Sequence, residues 1–268
     1  MQQTRVAIAG LGTIGRALAR RLAAGMPGLA LACAAARDRA KAKAWLDGAK
    51  IACPLVGLED FPRYSDLAVE CAPADALESI CTPMLTAGKR VMVLSAGALL
   101  PRPHLVDLAR DHGGQIIVPT GALLGLDAVA AAAEGTINSV RMITRKPPRG
   151  LEGAPHLVKH GISVEGLNAA KLVFSGSARE AAAGFPENVN VAAALSLAGI
   201  GPDRTMIDIW ADPAVTRNCH AIEVDADSAR FTLAIENVPS DNPKTGRIVA
   251  LSVIAALRKL QAPLRVGT

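Results

Sequence analysis

Aromatic side chains and long apolar runs are both scarce in this sequence. Phe, Trp and Tyr make up 3% of its 268 residues, although half of the residues are hydrophobic. Small aliphatic side chains must therefore fill the core, which suits parallel sheets packed closely against helices. No uninterrupted apolar run approaches the roughly 20 residues that span a bilayer, and the N-terminus lacks a signal-peptide pattern. We therefore expect no membrane segment and a cytoplasmic location.

The cysteines and the basic residues disfavour two further classes of protein. The five cysteines are odd in number and form no C-x-x-C pair, so we expect buried free thiols in a reducing compartment. The formal net charge is +5 and the isoelectric point is near 9.1. Because the basic residues are scattered and no aromatic-basic pattern accompanies them, we expect no nucleic-acid partner. A field that attracts an anionic substrate and cofactor accounts for the charge.

A glycine motif near the N-terminus predicts a dinucleotide-binding site. The apolar run Val6–Ala9 is typical of a buried strand, and G-x-G-x-x-G follows it where helical spacing begins. Gly10 permits a tight turn, Gly12 lets the backbone approach a pyrophosphate, and Gly15 lets the helix pack close to the strand. The helix N-terminus then offers free N–H groups to the phosphates. The candidate cofactor-binding residues of this motif are Gly10, Gly12, Thr13, Ile14 and Gly15.

The ends of the following strands add further candidate cofactor contacts. The second strand, 29–36, ends at Arg37 and Asp38, which suit a 2′-phosphate and the ribose hydroxyls respectively, although a solvated turn is the alternative. We therefore expect both NADP and NAD to bind. Strand-like runs at 67–72, 90–94 and 115–118 end in small residues, among them Ala72, which leave room for a nicotinamide. The stretches 74–88 and 103–112 are predicted to be crossover helices.

The second half of the chain predicts a different kind of sheet. Apolar and polar residues alternate in four stretches, which indicates neighbouring antiparallel strands with one face covered. Those stretches are 136–144, 205–211, 219–226 and 229–236. Helices are predicted at a capping box, Ser177–Glu180, and at 188–199. A last helix, 242–260, is predicted to return to the first domain.

These elements together predict an α/β protein of two domains. The first is a doubly wound parallel sheet of the Rossmann type, formed by residues 1–119 with 242–268. The second is an α+β domain, residues 120–241.

Histidines are the first candidates for catalysis. His220 shares a strand face with Ile222 and Val224, so it points inward and is either a core histidine with satisfied hydrogen bonds or a functional one. Cys219 faces the opposite side of that strand, which excludes a Cys–His dyad. His156 and His160 share a helical face, but no third ligand has suitable spacing, so we expect no metal site.

Cationic and amide side chains near the end of one strand and the start of one helix are candidates for binding the substrate. Asn242 and Pro243 form a strong helix-start signal, so Lys244 and Thr245 would lie in the first turn, where N–H groups favour a carboxylate or phosphate. The alternative is a solvated helix start without a ligand. Arg145 and Lys146 end a strand before two prolines and supply either a second cation or part of a surface loop. The candidate substrate-binding residues are Asn188, Asn242, Lys244 and Thr245.

Several blocks of sequence resemble the L-aspartate dehydrogenase family. In order, they are GALLGLDA (121–128), TRKPP (144–148), FSGSAREA (174–181), FPENVNVA (185–192) and NPKTGR (242–247). The resemblance spans essentially the whole chain. It implies a homodimer that oxidises L-aspartate to iminoaspartate with NAD or NADP, and it implies that the second domain serves substrate binding and dimerisation. It also implies that the active-site histidine is His220 and that Ala122 and Asn190 contact the cofactor.

Two other functions remain open from the sequence. One is a related two-domain dehydrogenase or reductase that acts on another amino acid or in the diaminopimelate pathway. The other is a non-catalytic NAD(P)-binding sensor, which would bind the cofactor without turning over any amino or keto acid and would tolerate the loss of His220.

Overall fold

The computed structural model describes residues 3–186, 189–240 and 246–267, and the chain divides into two compact units. The first unit comprises Met1–Pro119 with Ala250–Arg265, and the second comprises Thr120–Val249 with Val266–Thr268. The domain boundaries predicted from the sequence remain a prediction, because part of the segment 242–268 lies outside the described residues. Within the described part of the chain, no helix is long and apolar enough to cross a bilayer.

The first unit contains five parallel strands in the order β2-β1-β3-β4-β5, as the glycine motif and the crossover helices predict. The predicted Rossmann-type α/β fold is thereby confirmed for this unit. Its elements are β1 (Thr4–Ala9), α1 (Thr13–Ala23), β2 (Leu29–Ala35), α2 (Arg39–Gly48), α3 (Phe61–Tyr64), β3 (Leu67–Glu70), α4 (Leu77–Thr86), β4 (Arg90–Val93), α5 (Ala96–Leu99), α6 (His104–His112) and β5 (Gln115–Ile117).

Both faces of this sheet are covered, because strand residues alternate between two apolar cores. Val6 and Ile8 of β1 belong to the core on one face, and Ala7 and Ala9 belong to the core on the other. All four are fully buried. The apolar run that begins the glycine motif is therefore a central strand, and it holds the start of α1 at the carboxyl edge of the sheet.

The second unit contains a mixed five-stranded sheet in the order β10-β9-β6-β8-β7. Helices cover one face, which we call the inner face, with a core that includes Met142, Ile207 and Ile222. Its elements are α7 (Leu126–Ala133), β6 (Ile137–Lys146), α8 (Pro155–His160), β7 (Lys171–Ser177), α9 (Ala178–Gly184), α10 (Asn190–Ala198), β8 (Thr205–Ala211), β9 (Asn218–Ala226) and β10 (Arg230–Asn237). The capping box at Ser177 is present at the start of α9.

Two features of this sheet differ from the sequence prediction. β6 and β8 are parallel, whereas we predicted antiparallel neighbours, and the edge strand β7 was not predicted. Alternation of apolar and polar residues reports one covered face and is the same for both strand directions. The direction of β8 follows from the preceding crossover, which comprises the helices α8, α9 and α10 and the strand β7 and which the alternation does not encode.

The last helix, α11 (Arg247–Gln261), packs on the first unit. Val253 and Leu257 are fully buried in the core that contains Val6 and Ile8. Its described part runs from Arg247, and the start predicted at Asn242 lies outside the described residues.

Candidate cofactor site and active site

The three glycines of the motif meet different surroundings in the first unit. Gly10 has a positive φ of 101°, and a Cβ atom there would lie 2.5 Å from the carbonyl oxygen of Cys71. A Cβ on Gly15 would overlap the carbonyl group of Gly10, whereas a Cβ on Gly12 would meet nothing within 4 Å. Packing therefore requires the first and third glycines. The second one borders open space.

The start of α1 is suited to an anion. Gly12 is the N-cap residue, no acidic residue lies in the first turn, and helix geometry leaves the amides of that turn without intrahelical partners. Thr13 and Ile14 are the first two residues of the helix. Because Gly12 has no Cβ, the space in front of these amides is open, and an open space at a helix N-terminus fits a pyrophosphate.

The two residues predicted to select the cofactor occupy different positions after β2. Asp38 is the N-cap of α2, and its Oδ1 accepts a hydrogen bond from the amide of Lys41 at 2.9 Å. Arg37 is 84% exposed at its side chain and lies 4.0 Å from Asp75. One carboxylate oxygen of Asp38 is thus committed to the helix, while the guanidinium of Arg37 faces solvent.

Glu70, at the end of β3, is a functional candidate that the sequence prediction missed. Its side chain is fully buried and accepts hydrogen bonds from the amides of Leu94 and Ser95 at 3.0 and 2.8 Å, and from the Ser95 hydroxyl at 3.1 Å. The amide of Ala72, a predicted cofactor residue, also donates to it. Burial raises the pKa of Glu70, and these hydrogen bonds oppose that rise. Glu70 therefore ties the loop that follows β3 to the end of β4. The signal in the sequence that could have identified it is an acidic residue at the end of the apolar run 67–69.

The remaining predicted cofactor residues lie in the second unit. The carbonyl oxygen of Ala122 accepts a hydrogen bond from Asn237 Nδ2 at 3.0 Å. Asn190 is exposed and is the first residue of α10. Asn188, Asn242, Lys244 and Thr245 lie outside the described residues, so their assignment to substrate binding stays a prediction.

His220 lies on the inner face of the second sheet, as its strand pattern predicts. It is 4% exposed, and its Nδ1 lies 3.0 Å from Oγ1 of Thr144, the residue opposite it on β6. Burial, together with the nearby positive charge of Lys146, lowers the pKa of His220 to about 3. The imidazole is therefore neutral near pH 7.

Lys146, the last residue of β6, is buried beside His220. It is 6% exposed, and burial lowers its pKa to about 8. Arg145 points to the opposite face, where it pairs with Asp212 at 3.0 Å and lies over the ring of Trp210. The surface-loop alternative is therefore wrong for Lys146, because strand alternation turns it inward.

The other histidine pair packs as part of an aromatic cluster. The rings of His156 and His160 are 4.4 Å apart, and His156 also contacts Phe174 and Phe185. Among the described residues, no group of three or more His, Cys, Asp or Glu side chains is placed to hold a metal ion.

Comparisons with known proteins cover the whole chain. Residues 127–260 match the family described as "Aspartate dehydrogenase, C-terminal", and residues 10–119 match "Homoserine dehydrogenase, NAD binding domain". The chain is 55% identical over 268 residues to "L-aspartate dehydrogenase 3" of Bordetella bronchiseptica, which covers 100% of this chain and 98% of that one. It is 56% identical over 266 residues to L-aspartate dehydrogenase of Bradyrhizobium diazoefficiens, covering 99% and 95%. The crystal structure of aspartate dehydrogenase from Thermotoga maritima has the same fold, with a TM-score of 0.76 at 24% identity, covering 99% and 100% of the two chains.

Proposed function

The chain belongs to the L-aspartate dehydrogenase family, and we propose that it oxidises L-aspartate to iminoaspartate with NAD or NADP as the hydride acceptor. The observation that carries this proposal is the identity of 55% and 56%, over nearly the whole chain, to two L-aspartate dehydrogenases. Iminoaspartate hydrolyses to oxaloacetate and ammonia, or it feeds the synthesis of NAD.

Several residues of the first unit would hold the cofactor. The amides at the start of α1, beside Gly12, fit its pyrophosphate, and Arg37 and Asp38 fit its adenosine ribose with or without a 2′-phosphate. Family resemblance adds Ala122 and Asn190. When bound, the cofactor accepts the hydride that leaves Cα of the substrate.

His220 would act as the general base. The substrate amine is an ammonium at neutral pH, and it must lose a proton before a hydride leaves Cα. If Nδ1–H of His220 donates to Thr144 Oγ1, the lone pair of Nε2 is left to accept that proton. Thr144 is 2% exposed, so it is a fixed partner that orients the ring.

The low pKa of His220 is compatible with this role. It keeps the imidazole neutral and ready to accept a proton in the free enzyme. Aspartate brings two carboxylates, whose negative charge favours the imidazolium and so raises the pKa of His220 when the substrate is bound.

A spectrophotometric assay tests the proposed activity. The purified protein should reduce NAD or NADP in the presence of L-aspartate, and L-glutamate, L-alanine and L-malate should react far more slowly. A longer side chain misplaces the second carboxylate, and a hydroxyl group offers no amine. His220→Ala should lower kcat by roughly 10²–10⁴ without loss of cofactor binding. Equal rates with glutamate would contradict the aspartate assignment.

The assembly and location of the protein are part of the same proposal. Family resemblance supports a homodimer, and the uncovered face of the second sheet exposes apolar side chains such as Met206. The five free cysteines support a cytoplasmic location, where thiols stay reduced. Burial also raises the pKa of Cys33 and of Cys81 to about 12, so both thiols stay protonated. Light scattering coupled to size exclusion would measure the mass in solution, and a mass near 27.6 kDa would exclude the dimer.

A further inference from the structure

Glu70 stands where the order of the strands in the first sheet reverses. From β1 the chain continues to β2 on one side, whereas β3, β4 and β5 follow one another on the other side. In open α/β sheets, a ligand lies across the carboxyl ends of the strands at such a switch point. Glu70 is the last residue of β3, and its neighbours across the ladder are Ala9 at the end of β1 and Val93 at the end of β4. The loops that follow these three strands therefore start beside Glu70.

Donors from two of these loops bond to the carboxylate of Glu70. Its Oε2 accepts from the amides of Leu94 and Ser95, at 3.0 and 2.8 Å, and its Oε1 accepts from the Ser95 hydroxyl at 3.1 Å. The amide of Ala72 donates to the same carboxylate. An ionised carboxylate only accepts hydrogen bonds, so it suits a set of four donors. Because Glu70 is fully buried, water does not readily replace its oxygens as acceptors.

The glycine turn that precedes α1 is held by other hydrogen bonds. The amide of Cys71 donates to the carbonyl oxygen of Ala9 at 2.8 Å, and the amide of Gly10 donates to the carbonyl oxygen of Ala35 at 2.8 Å. Neither bond involves the carboxylate of Glu70. The part of the site that fits the pyrophosphate can therefore keep its arrangement when this side chain is changed.

The strands β3, β4 and β5 belong to the second half of the dinucleotide-binding fold. Each half of such a fold takes one mononucleotide, so β1, α1 and β2 suit the adenosine end and β3 to β5 suit the nicotinamide end. The residues that follow β3 and β4 are small, and they include Ala72 and the stretch 95–98. The carboxylate of Glu70 is bonded to these loops and would repel phosphates, so it acts on the cofactor through the loops.

We propose that Glu70 is a positioning residue for the nicotinamide half of the cofactor. Its carboxylate fixes the loop after β3 and the start of α5 in the arrangement that receives this half, so binding does not have to order them. The inference rests on the proposed function for the identity of the cofactor. It goes further, because neither the glycine motif nor the family resemblance assigns a role to Glu70.

Two conservative variants separate the length of this side chain from its charge. Glu70→Gln keeps the length, so its oxygen can accept from the amides of Leu94 and Ser95 while its NH₂ group donates to the Ser95 hydroxyl. Glu70→Asp keeps the charge but is one methylene shorter, so it cannot reach both loops. Glu70→Asp should raise the Kd for NADH roughly tenfold, the loss of one buried hydrogen bond. Glu70→Gln should raise it less than about threefold.

ADP measures the other half of the site, because it carries the adenosine and the pyrophosphate and lacks the nicotinamide riboside. Its Kd should stay within about twofold of the wild-type value in both variants. Fluorescence titration with NADH and calorimetric titration with ADP give the two affinities. Asp66→Asn is the matched control at the other end of β3, where Oδ2 of Asp66 accepts from the amide of Arg5 at 2.9 Å. This control should lower the Tm and change neither Kd.

The ratio of the two affinities decides the outcome. An unchanged Kd for NADH in Glu70→Asp, or equal weakening of NADH and ADP, would overturn the proposal and leave Glu70 a structural residue. Weaker binding of NADH by Glu70→Gln than by Glu70→Asp would also overturn it, because the charge and not the hydrogen bonds would then matter. If Glu70→Asp does not fold, Ser95→Ala removes only the hydroxyl bond and should weaken NADH without weakening ADP.

The same titrations keep this inference separate from the proposed function. They need no turnover, so a wild-type protein that binds NADH without oxidising aspartate would contradict the proposed function alone. A wild-type protein that oxidises aspartate, with a Glu70→Asp variant that binds NADH normally, would contradict only the role of Glu70.

Discussion

Alanine substitutions in the glycine motif should separate cofactor binding from folding. Gly12→Ala adds a methyl group where nothing lies within 4 Å, and its φ of −78° is accessible to any residue. Gly15→Ala adds the same group 3.0 Å from the carbonyl carbon of Gly10 and closer still to its oxygen. The two changes are chemically identical, so any difference between them reports the surroundings alone.

The expected stabilities follow from those surroundings. At the N-cap, alanine is less favourable than glycine by about 0.5–1.5 kcal/mol. The smaller entropy of the unfolded chain offsets roughly 0.4–1 kcal/mol of that. Gly12→Ala should thus change stability by less than about 1 kcal/mol. Gly15→Ala forces two backbone segments apart and should cost about 3 kcal/mol, the upper end for overpacking. For a chain of this size, that corresponds to a fall in Tm of roughly 6–12 °C.

Cofactor affinity should show the opposite order. The methyl group of Gly12→Ala occupies the space through which a pyrophosphate approaches the helix amides. Loss of one hydrogen bond to a charged group, about 1.5–3 kcal/mol, raises the Kd for NADH roughly 10- to 150-fold. Thermal unfolding of the cofactor-free protein and fluorescence titration with NADH measure the two effects. A Gly12→Ala protein with a normal Kd would refute the placement of the pyrophosphate at this helix.

Three further variants test other parts of the site. Arg37→Ala should weaken NADP more than NAD, by roughly 1–3 kcal/mol in a competition titration, and an unchanged ratio would show that Arg37 does not contact the 2′-phosphate. Lys244→Ala should raise the aspartate KM roughly tenfold with NAD affinity intact, and the reverse pattern would assign this segment to the cofactor. Glu70→Ala removes the acceptor for the amides of Leu94 and Ser95, so the free energy of unfolding should fall by about 1–3 kcal/mol. NADH should also bind more weakly, and an unchanged Kd for NADH would limit Glu70 to a structural role.

The first unit was predictable because local and long-range signals agree there. Gly10 and Gly15 have the surroundings that their spacing predicts, a positive φ at Gly10 and a close approach of the helix at Gly15. Buried parallel strands read as short apolar runs, and the crossover helices between them fix the strand order within narrow limits. The resemblance to the L-aspartate dehydrogenase family, which the comparisons confirm, extends this reading to the second unit.

The end of the second sheet that carries His220 was harder to predict, because the position of each side chain there depends on its neighbours across the strands. Arg145 and Lys146 are adjacent in sequence and chemically alike, yet one pairs with Asp212 on the outer face and the other is buried beside His220. Alternation along β6 turns Lys146 inward, and only the register of β6 against β9 places it near His220. Asn237 belongs to the same face through its pairing with β9, although it is 17 positions away from His220 in the printed sequence. A strand pattern predicts a face and leaves the partner across the strand unspecified.

The electrostatics around His220 suit a base that works when a substrate is bound. Burial and the nearby positive charge of Lys146 lower the pKa of His220 to about 3, so the imidazole is neutral in the free protein. In the proposed reaction the substrate brings two carboxylates, and negative charge close to the imidazole would favour its protonated form. A monocarboxylate or an amine without a carboxylate would supply less of this charge, so the same electrostatics would favour a dicarboxylate over its simpler analogues.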